Sequence, residues 1–168
     1  MGKTKWRPAL AWSAATLGLD LAAKAAVRSR LSPWEPLPVI DGFFDLTLVY
    51  NTGAAFSLGA GPNEPGQSWK MIGLALLSLL PFLYFYAKAL PGDRVRLAAL
   101  GLIWGGALGN IHDRLRWGAV VDFLDFQIRG CHWPAFNVAD ASICLGAGLL
   151  ALSLLREKPA GQGKGDAP

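Results

Sequence analysis

NIHDRLRWGAVVDFLDFQIRGCHWPAFNVADAS, residues 110–142, decides how the chain is read, because it sets Asp113, Asp122, Asp125 and Asp140 between two strongly apolar segments. A charge at or near hydrocarbon costs roughly 3 kcal/mol even on lenient insertion scales, so ionisable residues there are functional candidates by default. Asp122 lies in the apolar run 119–124, and Asp140 opens the apolar segment 137–155. Both acids can therefore lie at one water-facing rim of a membrane bundle.

Working outward, the whole chain fits that setting. Of its 168 residues, 52% are hydrophobic and only 17% charged, and the mean hydropathy is +0.32, too apolar for an ordinary soluble domain. The pI near 9.3 raises nucleic acid as a partner, but basic binders cluster their cations among polar or aromatic residues, whereas here the cations flank apolar segments. No nucleic acid is expected, and membrane lipid is. Cys131 and Cys144 offer no disulfide framework and are expected to be free thiols.

Four spans are predicted, at about 8–27, 69–88, 96–112 and 137–155, in a single domain over residues 1–158, with residues 159–168 a disordered tail. Pro8 suits the first turn of the first helix. A cleavable signal peptide competes for this segment, since Ala23-Lys24-Ala25 loosely fits a small-x-small site. Asp20 and Lys24 break its apolar core, and they stand four apart with the acid first, the favourable order for a helical pair. Lys24 either snorkels from a rim ion pair or helps shape the site.

Residues 28–68 carry Pro33, Pro36, Pro38, Pro62 and Pro65 and cannot span. Within them Phe43 to Tyr50 alternates like a strand ending at Asn51-Thr52-Gly53, with 54–58 a possible returning strand. Asn51 beside Gly53 reads first as a turn residue. The second span has Trp69 at one interface and Tyr84 and Tyr86 near the other. In the third, Gly101, Gly105 and Gly109 recur along one face and permit close helix approach. Its end carries Arg114, which suits the negative end of the helix dipole. Val120 to Gln127 is a second strand, with Asp122, Leu124 and Phe126 on one face and Asp125 on the other. Asn137 reads as the N-cap of the fourth span with Asp140 as its capping-box partner, the bland alternative for that acid. Segments 28–68 and 113–136 are thus extramembrane. The short cationic 88–96 connection makes both termini cytoplasmic and puts the acids at the extracytoplasmic side.

No Ser, Cys or Lys has an activating partner in place. His112, Asp113, Asp122, His132 and Asp140 lack metal-ligand spacing, so neither metal nor cofactor is expected. Two aspartates remain. Carboxylates brought together do not both ionise easily, so one keeps a proton while the other acts as base toward water. A transporter would more readily show related halves and polar groups at mid-membrane, and a non-catalytic assembly factor would use its acids as caps and rim pairs. Neither needs two acids on separate elements converging at one rim.

Five motifs carry a resemblance: Asp20-Leu21-Ala22-Ala23-Lys24-Ala25, Asn51-Thr52-Gly53-Ala54-Ala55-Phe56-Ser57, Gly105-Gly106-Ala107-Leu108-Gly109-Asn110-Ile111-His112-Asp113-Arg114, Val120-Val121-Asp122-Phe123 and Phe136-Asn137-Val138-Ala139-Asp140. In this order, in a four-span chain, they resemble the bacterial lipoprotein signal peptidase family. The resemblance implies a mainly α membrane protein of four transmembrane helices with a small extracytoplasmic β-sheet cradle. It implies an aspartic endopeptidase of the bacterial inner membrane that removes the signal peptide from diacylglyceryl-modified prolipoproteins. Asp122 and Asp140 would be its catalytic dyad. Asn51, Gly53, Asn110, Arg114 and Asn137 would bind substrate or shape the site, and Asp20, Lys24 and Asp113 would support it. A monomer is expected.

Overall fold

The computed structural model describes residues 3–33, 35–53, 67–90 and 92–156. Its elements run α1 (Lys3–Arg30), β1 (Leu37–Ile40), β2 (Phe44–Asn51), α2 (Gln67–Lys88), α3 (Arg94–Trp117), β3 (Val120–Ile128), β4 (Cys131–His132) and α4 (Val138–Arg156). The protein is a mainly α membrane protein, a four-helix bundle carrying a small sheet at one end. The returning strand expected at 54–58 and the tail from 159 fall outside the described residues.

α1, α2 and α4 are each long and apolar enough to cross a membrane. α3 is the fourth helix, and it packs against all three others. It carries glycines and charges because its surroundings are protein rather than lipid: Leu97, Ala99, Leu100, Ile103, Asn110 and Asp113 are all buried. Small residues make this packing possible. A Cβ on Gly105 would stand 2.6 Å from the Ser13 carbonyl of α1, and one on Gly106 would strike the Ala139 carbonyl of α4. Gly101 and Gly109 also face α1, so the expected glycine face is a helix seam. Gly106 belongs to a second seam, against α4. Asp93 caps the start of α3 by accepting the Arg96 N–H at 3.0 Å. Left-handed Gly118 ends the helix, its N–H bonded to the Arg114 carbonyl.

Two expectations shift. Pro8 lies inside α1 rather than in its first turn, since the helix begins at Lys3. Tyr86 faces protein rather than lipid. It is buried with its ring 5.7 Å from that of Trp104, while Tyr84 stays exposed.

The sheet runs β1-β2-β3-β4 and is antiparallel throughout. β2 and β3 fall within a residue of their expected bounds. The β3–β4 hairpin turns through Arg129 and Gly130, both at positive φ. β2 pairs Asn51 with Val120 and Val49 with Asp122, so Asn51 and Asp122 are diagonal neighbours on one face. A bridge between Leu124 and Phe136 then returns the chain to β3 just before α4 begins. That return sets Asn137 beside Asp122.

Candidate active site

Asp122 projects from β3 and Asp140 from the first turn of α4, and both line one cavity of about 600 Å³. Asn51, Asn110 and Arg114 share its wall. Asn137 stands behind that wall, fully buried.

Three amides hold the two carboxylates, and each amide is oriented by what its oxygen accepts. Asn51 Oδ1 accepts the Gly53 N–H at 2.9 Å, which turns its Nδ2 to Asp122 Oδ2 at 3.0 Å. Asn137 Oδ1 accepts the Asp140 N–H at 2.9 Å, which turns its Nδ2 to Asp122 Oδ1 at 2.7 Å. Asn110 Oδ1 accepts from Lys24 Nζ at 3.3 Å and from Asn137 Nδ2 at 3.2 Å, so its Nδ2 donates to Asp140 Oδ1 at 2.8 Å. Asp140 Oδ2 meanwhile accepts the Asn137 N–H at 3.3 Å, completing a capping box. The turn and cap readings of Asn51, Asn137 and Asp140 hold without using up their side chains. One side-chain atom makes the turn or cap, and the other faces the site.

Behind the amides lies a buried ion cluster. Lys24, only 3% exposed, reaches Asp20 at 2.7 Å and Asp113 at 2.8 Å. It does not snorkel. Asp20 Oδ1 accepts the N–H of Ala139, and Asp113 Oδ2 accepts the N–H of Val121. These are the residues immediately before Asp140 and Asp122, so one cation between two acids ties together the backbone under both site carboxylates. Arg114 adds a brace from α3, with Nη2 donating to the Gly53 carbonyl at 2.9 Å and Nη1 to the Asn110 carbonyl at 3.3 Å.

Burial out of water, followed by the charge of Asp140, pushes the Asp122 carboxyl up to about 7, against the two amide donors that favour its anion. Such a group is still substantially protonated near neutral pH. The two histidines stay apart from this pair: His112 lies 3.5 Å from Asp113 and His132 lies 3.0 Å from Asp125. Among the described residues no three His, Cys, Asp or Glu side chains converge as metal ligands would.

The rest of the cavity was not foreseen. Met71, Leu74, Ala75 and Ser78 of α2, Trp133 to Phe136, and Ile143 and Cys144 of α4 complete the wall. Ile143 and Cys144 stand three and four residues after Asp140, a helical spacing that would have found them. Nothing in the α2 sequence marks its contribution. Cys131 and Cys144 are both free and exposed.

Comparison with known proteins supplies the family and supports the fold. Residues 12–156 match the family described as Signal peptidase (SPase) II. The lipoprotein signal peptidase of Ralstonia nicotianae is 49% identical over 82% of this chain and 78% of its own length. That of Desulforapulum autotrophicum is 44% identical over 77% and 80%. A bacterial membrane enzyme solved by the in meso method at 2.3 Å superposes with a TM-score of 0.77 at 26% identity, covering 94% of both chains. With its glycine-seamed bundle, its end sheet and its paired acids, the chain belongs to the signal peptidase (SPase) II family.

Proposed function

We propose that the chain is an aspartic endopeptidase that cleaves the signal peptide from diacylglyceryl-modified prolipoproteins, on the N-terminal side of the lipidated cysteine. The observation that carries this reading is that Asp122 and Asp140, from different elements, line one cavity with their oxygens fixed by oriented amides. Family membership supports the hydrolytic class. A catalytic pair needs such fixed geometry, because proton transfer is productive only within hydrogen-bond reach.

In the proposed reaction Asp140 is the initial base and Asp122 the initial acid. Water attacks the scissile carbonyl carbon and gives a proton to Asp140 while Asp122 protonates the carbonyl oxygen. The tetrahedral diol collapses as Asp140 returns its proton to the amide nitrogen and Asp122 recovers one from a hydroxyl. The C–N bond breaks, leaving a carboxyl on the signal peptide and a free amine on the cysteine. Asp140 suits the base role by its place in the first turn of α4, beside the positive end of the helix dipole. Asn51, Gly53, Asn110, Arg114 and Asn137 shape the site, since unwound substrate backbone needs such polar partners in a membrane. The apolar wall from α2 and α4 suits an apolar signal helix and the lipid on its cysteine. No metal takes part, and the protein works as a monomer.

The same reading makes residues 1–158 one peptidase domain of the bacterial inner membrane, with both termini cytoplasmic and the acids at the extracytoplasmic rim. Purified protein should cleave a diacylglyceryl-cysteine peptide and spare its unlipidated counterpart. Asp122→Asn and Asp140→Asn should each abolish cleavage, by at least about 10³-fold, while the protein folds and binds substrate, because Asn fills the same space and keeps one of the two hydrogen bonds each carboxylate accepts, but cannot carry the proton. Substantial cleavage by either variant would remove that aspartate from the mechanism.

A further inference from the structure

Away from the cavity, the last turns of α1 and α3 carry a group that the peptidase reading does not use. The Arg28 guanidinium lies 3.5 Å from the centre of the Trp117 ring and that of Arg116 lies 4.4 Å from it. Arg28 Nε also donates to the Tyr50 hydroxyl at 3.2 Å, which fixes the fork of its two remaining nitrogens. Trp117 is 39% exposed and Arg116 is exposed beside it. Among the described residues neither arginine has a carboxylate within ion-pair distance.

Two cations on one indole repel each other, and cation–π attraction offsets only part of that. The helix dipoles do not account for the arrangement. Arg30 and Arg114 already occupy the same last turns, while Arg28 is turned toward a tyrosine and a tryptophan instead of free helix carbonyls. What the pair lacks is an anion with several acceptor oxygens. Its position says which anion. α1 is long and apolar enough to cross a membrane and ends at Arg30, and indole rings favour the headgroup level. Beyond α1 the chain enters the edge strand β1, which exposes Leu37, Val39 and Ile40, an apolar surface of the kind that rests on a bilayer.

We propose that Arg28, Arg116 and Trp117 form a binding site for the phosphate of an anionic phospholipid, seating the sheet end of the molecule on the membrane surface. The inference needs only the membrane placement of the helices and stands apart from the peptidase reading.

The test uses the full chain in neutral detergent with phosphatidylglycerol and phosphatidylcholine of identical acyl chains, and reads the lipid retained by native mass spectrometry. Phosphatidylglycerol should be preferred. Arg28→Gln and Arg116→Gln should each weaken its retention about fivefold and leave phosphatidylcholine unchanged, from the attraction typical of one basic residue at an anionic surface. Arg116→Lys should keep part of the preference, because the charge survives while the planar fork is lost. Equal retention of the two lipids by the unsubstituted protein would overturn the proposal even if the variants failed to fold. So would an unchanged preference in both glutamine variants, or displacement of the lipid by equimolar glycerol 3-phosphate, which would make the site one for free phosphates.

Discussion

α2 and α3 are nearly equal in length, 22 and 24 residues, and opposite in what surrounds them. α2 exposes Leu74, Leu76, Leu77, Leu80 and Leu83, whereas α3 buries Leu97, Leu100, Ile103, Asn110 and Asp113. A helix facing lipid must be apolar on its outer side, and gains little from close fit there, because lipid tails are as apolar as leucine. One wrapped by other helices can carry Asn110, Asp113 and Arg114 because protein groups satisfy them. Its position is then set by fit and charge pairing. α3 brings Asn110 and Arg114 to the polar side of the site and α2 brings Met71, Leu74 and Ala75 to its apolar wall, so the two helices should respond to substitution on different scales.

The largest expected effect strikes the ion cluster that α3 shares with α1. Lys24→Met leaves Asp20 and Asp113, 0% and 2% exposed, facing each other without a cation, and breaking a buried pair costs about 3–5 kcal/mol. Thermal unfolding in detergent should show a strongly destabilised protein with little cleavage. Adding Asp113→Asn should restore part of the stability, since Asn can still accept the Val121 N–H while removing one charge. Full stability of Lys24→Met would mean that the cluster holds nothing together.

Next comes the seam itself. Gly106→Ala adds a single methyl that meets the Ala139 backbone carbonyl, one residue from Asp140. A carbonyl in a helix cannot swing aside, so α3 and α4 must separate, at a cost of about 1–3 kcal/mol. Cleavage should fall with stability, and an unaffected enzyme would show that the seam is softer than its geometry implies.

A third outcome sharpens the contrast at the cavity. The Asp122 carboxyl, raised to about 7 chiefly by burial, holds its proton below that pH and loses it above. If it is the initial acid, kcat/KM should decline on the alkaline side of about pH 7, by roughly tenfold per pH unit once the group is ionised. Leu74→Ser on the α2 wall should let water in, favour the anion and move that limb to lower pH. A rate that stays flat from pH 6 to 9 would take the acid role away from Asp122.

How much of this could be read from the chain follows the same division. Asp122 and Asp140 stood out because charges amid apolar residues demand a reason, and the strands around Asp122 showed their alternation. The glycine face of α3 was legible because it recurs every four residues. Asn51, Asn137 and Asp140 invited a choice between turn or cap and site, when a carboxylate or amide has two polar atoms and can make the turn or cap with one while the other is held toward a neighbouring side chain. Lys24 stayed open between snorkelling and shaping the site, because its partner Asp113 lies far along the chain and only the fold brings it near. The α2 wall left no trace at all. A lipid-facing leucine and a cavity-lining one look alike in sequence.

The smallest expected effect lies on that same helix. Leu77 is 62% exposed, on the outer side of α2, and is absent from the cavity wall that Leu74, Ala75 and Ser78 join. Leu77→Ala removes three carbons that meet lipid in the folded protein and would meet lipid just as well in a separated helix. The exchange therefore cancels, and stability in a bilayer should change by less than about 0.5 kcal/mol with cleavage intact, as for surface positions generally. Insertion should survive too, because the remaining leucines of α2 keep the span apolar. Deleting three carbons from α2 should thus do less than adding one to α3 at Gly106. Paired unfolding curves for Leu77→Ala and Gly106→Ala in the same bilayer decide the matter. If the leucine variant were the less stable of the two, α2 would be meeting a protein surface at that position, and its outer face would have to be read as an interface instead of a lipid contact.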